Sequence, residues 1–267
     1  MRKFILAALL LLLSAIFPAH AGRSCEPHKP SAQSITRGLT LAQRTHEALE
    51  REYAANGTRV VLLARAGQDL GKYGLRYSHM GIVYRTTDAQ GVVAWRVLHK
   101  LNQCGTAEAA IYRQGLGEFF LDDPWRYEAA WVVPSRDLQS HLMALVTEPR
   151  ALMLNQRAYS IVSYAWGTRY QQSNQWAIET MAAAMDPAVD TRAKAQAWLR
   201  LQGYEPTVLT LGPLTRLGGR LAAANVAFDD HPPEKRFSDR IETVTVDSVF
   251  AWLRRSRLGG EAIVLRL

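Results

Sequence analysis

The sequence predicts an α+β fold, a small antiparallel sheet packed by helices, and three observations carry that prediction. Two apolar runs, residues 77–84 and 92–99, flank Thr86-Thr87-Asp88-Ala89-Gln90-Gly91 and read as a β-hairpin. Shorter β-type runs occupy 60–64, 128–133, 208–211 and 242–246. Helical periodicity brackets these strands instead of alternating with each one, which favours α+β over a parallel βαβ arrangement.

Residues 1–21 stand apart from the fold. Arg2 and Lys3 precede an apolar run from Phe4 to Phe17, and Ala19-His20-Ala21 is a small-residue cleavage site before Gly22. This is the pattern of a secretory signal peptide. The run is shorter than the roughly 20 residues that span a bilayer, which weighs against an uncleaved anchor. Residues 22–267 are then expected to form one α+β domain outside the cytoplasm, periplasmic or secreted, with no membrane span after cleavage.

Charge narrows the partners. The formal net charge is +8, of which Arg2 and Lys3 carry two. The remaining basic residues are scattered, with small clusters at Arg254-Arg255-Ser256-Arg257 and Lys235-Arg236. Nucleic acid is not the expected partner of an exported chain. An ordinary solvated surface is expected, with weak attraction to anionic envelope polymers or lipid head groups as the alternative. Cys25 and Cys104 are the only cysteines. In an oxidising compartment they are expected to pair, with a free Cys104 nucleophile as the alternative.

Each element follows from its local pattern. Residues 22–37 look irregular. Leu41, Ala42, Thr45, Ala48, Leu49 and Tyr53 recur at helical spacing over 40–55, and Asn56-Gly57 stops that helix. Val60-Val61-Leu62-Leu63-Ala64 reads as a buried strand, and the hairpin follows. Glycine-punctuated 102–121 reads as a surface wrap, and 128–133 as a strand ended by Pro134. Helices are expected at 138–148 with Ser135 as N-cap, at 174–185, at 191–202 and at 247–257, the last capped by Asp247 or Ser248. Aromatic 159–170 reads as extended or looped, 214–225 as a helix weakened by Gly218-Gly219, and 262–267 as a last strand. The core is expected at about 40–185, with 188–267 as an extension covering one edge.

The candidate chemistry sits on the hairpin and on one helix start. A hairpin centred near Ala89 puts His79 opposite His99 on one face, with Cβ atoms roughly 4.5–5.5 Å apart. A one-residue slip would send one ring to the other face. Ser173 stands where the aromatic stretch becomes a helix, close to the positive helix N-terminus. Most serines there are caps; a nucleophilic serine would need a base. Asp229, Asp230 and His231 are ligand types that suit zinc, but Asp-Asp-His-Pro-Pro is equally a solvated turn, so no metal site and no cofactor is assigned.

The order Ser78-His79-Met80-Gly81-Ile82-Val83, then His99, then Ser173 with Trp176 and Ala177 behind it resembles the circularly permuted, NlpC-like branch of papain-like thiol hydrolases. The resemblance implies His79 as base, His99 as the residue orienting it, Ser173 in the cysteine position, and Asn174, Gln175 and Trp176 as walls of a substrate groove. It implies amide, ester or thioester cleavage, by analogy of cell-wall peptides or lipids. Serine replaces cysteine and Gln172 replaces the preceding asparagine, so a non-catalytic binding protein that kept the cleft is the alternative. Over its whole length, through Tyr77-Ser78-His79, Leu101-Asn102-Gln103-Cys104-Gly105, Ser173-Asn174-Gln175-Trp176 and Phe228-Asp229-Asp230-His231-Pro232, the chain resembles an uncharacterised exported bacterial family, domain of unknown function 2145. That family implies export and no particular reaction. Substrate and oligomeric state are not legible in the sequence.

Overall fold

The computed structural model describes residues 29–122 and 124–267. The expected leader and Cys25 lie outside the described residues, and so does the expected Cys25–Cys104 pairing.

Six strands form one antiparallel sheet: β1 (Val60–Ala66), β2 (His79–Thr87), β3 (Val93–Asn102), β4 (Ala109–Gly115), β5 (Arg126–Val132) and β8 (Ile263–Arg266), in the order β4-β3-β2-β1-β5-β8. A two-stranded sheet pairs β6 (Thr207–Thr210) with β7 (Arg240–Thr243). Eight α-helices accompany them among the described residues: α1 (Ala32–Asn56), α2 (Leu116–Leu121), α3 (Arg136–Val146), α4 (Ser173–Met185), α5 (Arg192–Leu201), α6 (Pro213–Ala222), α7 (Pro233–Arg236) and α8 (Val246–Arg255). The class is mixed α+β, and none of these helices is long and apolar enough to cross a membrane.

The large sheet is buried on both faces, so β1 is buried at every position and apolar at all but Arg65 instead of alternating. Strand parity sorts its side chains. Val61, Leu63, Val83, Trp95, Val97, Ala129 and Trp131 pack with Leu41 and Leu49 of α1 and with Phe119 and Phe120 of α2. Leu62, Ala64, Met80, Ile82, Leu98, Ala130 and Val132 pack with Leu138 of α3, Trp176 and Ile178 of α4, Leu199 of α5 and Trp252 of α8. A small satellite core, Leu209, Leu211, Val226, Phe228 and Ile241, holds the second sheet.

Several expectations shift at this level. The first helix begins eight residues early, because Ser31 caps it by accepting from Ser34 N at 3.0 Å. Residues 109–121 are not a surface wrap: they form β4 and α2. Gly115 ends a strand there instead of punctuating a loop. Ser135 does cap α3, accepting from Leu138 N. The cap of α8 is Thr245, in a reciprocal pair with Ser248. Ser173 is not a cap either. Gln172 fills that role, its side chain accepting from Asn174 N at 2.8 Å, and Ser173 is the first helical residue.

Candidate functional site: a buried imidazole pair

The hairpin register is centred on position 90, not 89: Ile82 faces Leu98, and Thr87 faces Val93. Continued, that register sets Gly81 opposite His99 and His79 diagonal to it. The shift moves His99's partner by two residues, so both imidazoles keep the same face. Gly81 is what makes the diagonal close. A Cβ there would lie 2.6 Å from Val97 Cγ1 and 3.1 Å from His99 Cβ. The bare glycine lets His99 sit over β2.

His79 Nε2 and His99 Nδ1 are 2.8 Å apart, and His99 Nε2 lies 2.8 Å from Gln114 Oε1 on β4. Valence fixes the direction of this relay. An amide oxygen only accepts, so His99 Nε2–H donates to it. Neutral His99 then accepts at Nδ1 from His79 Nε2–H, which leaves the lone pair of the series on His79 Nδ1. Phe119 covers both rings, its centroid 5.8 Å from that of His79 and 5.4 Å from that of His99. Arg65 completes the layer. Its guanidinium lies 4.9 Å from the Phe119 centroid and bonds the Phe119 carbonyl and the Asp122 carboxylate.

Both rings are poor bases here. Burial, then the Arg65 charge, then His99 push the His79 imidazole well below its ordinary range. Burial and Arg65 also bring His99 down to about 4, although its bond to Gln114 and the Asp122 charge act the other way. The pair is neutral at neutral pH.

Helix α4 packs on the opposite face of the sheet, with Met80 and Ile82. Its first turn reaches the open end of β2. Asn174 Oδ1 accepts from Met80 N at 3.1 Å, and Asn174 Nδ2 donates to Ser78 O at 3.4 Å. One amide thus grips the backbone on both sides of His79. The adjacent Ser173 does not join the relay: it is buried, and its hydroxyl is near enough to the phenol of buried Tyr159 to oppose the upward push of burial on that group. No hydrogen bond joins Ser173 to either imidazole among the described residues. The structure therefore brings His79 and His99 together, sets Asn174 against their strand, and leaves Ser173 outside the relay.

The expected groove walls are core residues. Gln175 accepts from Ser163 Oγ at 2.8 Å and donates to the carbonyls of Tyr164 and Ala165, pinning the aromatic loop. Trp176 is wholly buried in the main core. Asn174 is buried too, and its amide is spent on β2. These side chains shape the fold and do not face a cleft.

Sequence reading missed Arg65, Gln114 and Phe119. Gln114 and Phe119 lay inside the stretch read as a wrap, and Arg65 follows an apolar run that looked complete. It also missed a buried polar network under α4. Lys100 Nζ donates to Asn155 Oδ1 at 2.9 Å, to Gln171 Oε1 at 2.8 Å and to the Gln156 carbonyl. Gln171 donates on to Glu179, which also receives Arg192 and Gln196. Burial and the nearby Arg192 charge bring Lys100 down to about 7, against the pull of Glu179. Elsewhere, Asp229 pairs with Arg169, while Asp230 accepts from Tyr164 N and holds His231 Nδ1 at 2.9 Å.

These features define a mixed α+β protein with a buried, neutral imidazole relay on its central hairpin. The chain belongs to the family described as an uncharacterised protein conserved in bacteria, domain of unknown function 2145, whose model matches residues 52–253. No curated protein and no solved structure matches it.

Proposed function

We propose that this chain is an exported binding protein on a papain-like scaffold, without hydrolytic activity of its own. The observation that carries this reading is that the two imidazoles bond each other and Gln114, and no hydrogen bond among the described residues joins Ser173 to either ring. A serine nucleophile needs a base within hydrogen-bond reach. Here the imidazoles spend their near nitrogens on each other and on Gln114, and neither is bonded to the Ser173 hydroxyl. The secretory leader, the periplasmic or secreted location and the Cys25–Cys104 disulfide belong to the same proposal. Ligands of the cell envelope, peptide or lipid, are the class that such a location offers.

Labelling of a Ser173→Cys variant with a thiol-reactive amide analogue tests the reading. The binding protein gives no selective modification at position 173 over wild type. Selective labelling there would support a preserved hydrolase geometry.

One observation favours the second reading, an amide or ester hydrolase using Ser173, His79 and His99. The relay leaves its lone pair on His79 Nδ1, and Asn174 brings the start of α4 to the same strand end. In that reading His99 orients His79 as the third member of a triad does. Turnover on any amide, ester or thioester substrate that His79→Ala abolishes would establish it.

A further inference from the structure

Helix α6 is packed inside out. Leu214, Leu217 and Leu221 recur at i, i+3 and i+7, the spacing of a single apolar stripe. They are 84%, 55% and 80% exposed. The one fully buried residue of the helix is Gly219. The inner flank is held by Arg216, whose guanidinium lies 4.8 Å from the Phe228 centroid and bonds the carbonyls of Arg236 and Ser238. Those two carbonyls bracket Phe237, which is 82% exposed. Three leucines and a phenylalanine therefore stand in water around one arginine anchor. Exposed apolar groups on two elements joined in this way mark a contact surface.

Charge identifies the occupant. Arg220 is exposed on the helix beside the stripe, and the Arg236 guanidinium lies 5.7 Å from the Phe237 ring centroid. Arg216 is close enough to Arg220 and Arg236 for their charges to act on it. The helix itself carries no acidic residue, although Glu234 and Asp239 border Phe237 in the sequence. An apolar stripe with arginines along its edge complements the acyl boundary and head groups of an anionic lipid surface. A second copy of the chain is a poorer fit, because a stable dimer engages about 20–30 residues a side and this stripe offers four.

We propose that α6 and Phe237 form a docking surface for anionic phospholipid. The proposal uses neither Ser173 nor the imidazoles, so it stands or falls separately from the function proposed above.

The test is co-sedimentation of the leader-processed chain, verified by mass, with vesicles of phosphatidylcholine alone or mixed with phosphatidylglycerol. The expected result is partitioning onto the mixed vesicles, weakened by salt. Leu214→Ser with Leu217→Ser, Leu221→Ser and Phe237→Ser should lower the partition coefficient about tenfold or more. Arg220→Ala with Arg236→Ala should remove the preference for phosphatidylglycerol. The four apolar side chains and Arg220 are exposed and Arg236 is half-buried, and circular dichroism of each variant should match wild type. The single variant Leu214→Ser, at the most exposed position, should show a smaller loss in the same direction. Equal recovery with and without vesicles would overturn the proposal, as would unchanged binding by the four-residue variant. So would a wild-type dimer that this variant splits without any vesicle binding.

Discussion

His99 carries the clearest consequence at the scale of single residues. Its native pKa of about 4 lies below the ordinary 6.5. Between those values the unfolded chain binds a proton that the folded chain refuses, so stability falls as pH drops from about 6.5 to 4. His79 adds to the same trend. Thermal melts of wild type and His99→Gln across that window should show a shallower loss in the variant. Parallel curves would mean that the imidazole is not desolvated as described. The histidines were legible as a pair because each sits in a β-type run. Their spacing was not: nothing in the residues says that the turn centres on Gln90, and Gly81 reveals its purpose only once His99 is seen above it. Ser173 was legible as a helix start, while its neighbour Tyr159 lies in an irregular loop that no periodicity could orient.

Among the elements, α4 is the one that positions the candidate site. Asn174 is its link to β2, through bonds to Met80 N and Ser78 O. Asn174→Ala strands a buried Met80 N–H, which costs about 1–3 kcal/mol. Asn174→Asp keeps an acceptor for that N–H and should cost less. Denaturant midpoints for the two variants check the order, and equal losses would contradict it. The helices were read well wherever an apolar stripe and a stop residue coincide, as at Gly57 and Gly203, both in the left-handed region with φ 70° and 68°. β4 escaped because it mixes Arg113 and Gln114 with small residues. Arg113 crosses to Tyr84 on one face and Gln114 to His99 on the other, so its pattern is polar on both. α6 was legible as a helix, but the direction of its leucines was not, since an exposed stripe and a buried one have the same spacing.

On the scale of the whole molecule, the last strand ties the ends of the fold together. β8 pairs with β5, and Glu128 of β5 receives Arg76, Tyr77 and Arg266. Burial pushes the Glu128 carboxyl up, but these three donors more than reverse it and hold it at about 2. That contribution is present above pH 4.5 and is lost as pH falls towards 2. Glu128→Gln should cost about 2 kcal/mol, tempered by the exposure of both arginines, and should flatten acid denaturation below pH 4.5. An unchanged acid limb would contradict the assignment. The α+β class was legible from grouped strands. The double-sided burial of the sheet was only hinted at by Val60-Val61-Leu62-Leu63-Ala64.

The central claim is that position 173 and the imidazole relay do not form one reacting site. The alkylation rate of Ser173→Cys against pH, measured with and without His79→Gln, tests it most directly. A helix start lowers a thiol pKa by itself, so the informative quantity is the change on removing the ring. An unchanged midpoint is the predicted result; a midpoint that rises when His79 is replaced would join the two into one site.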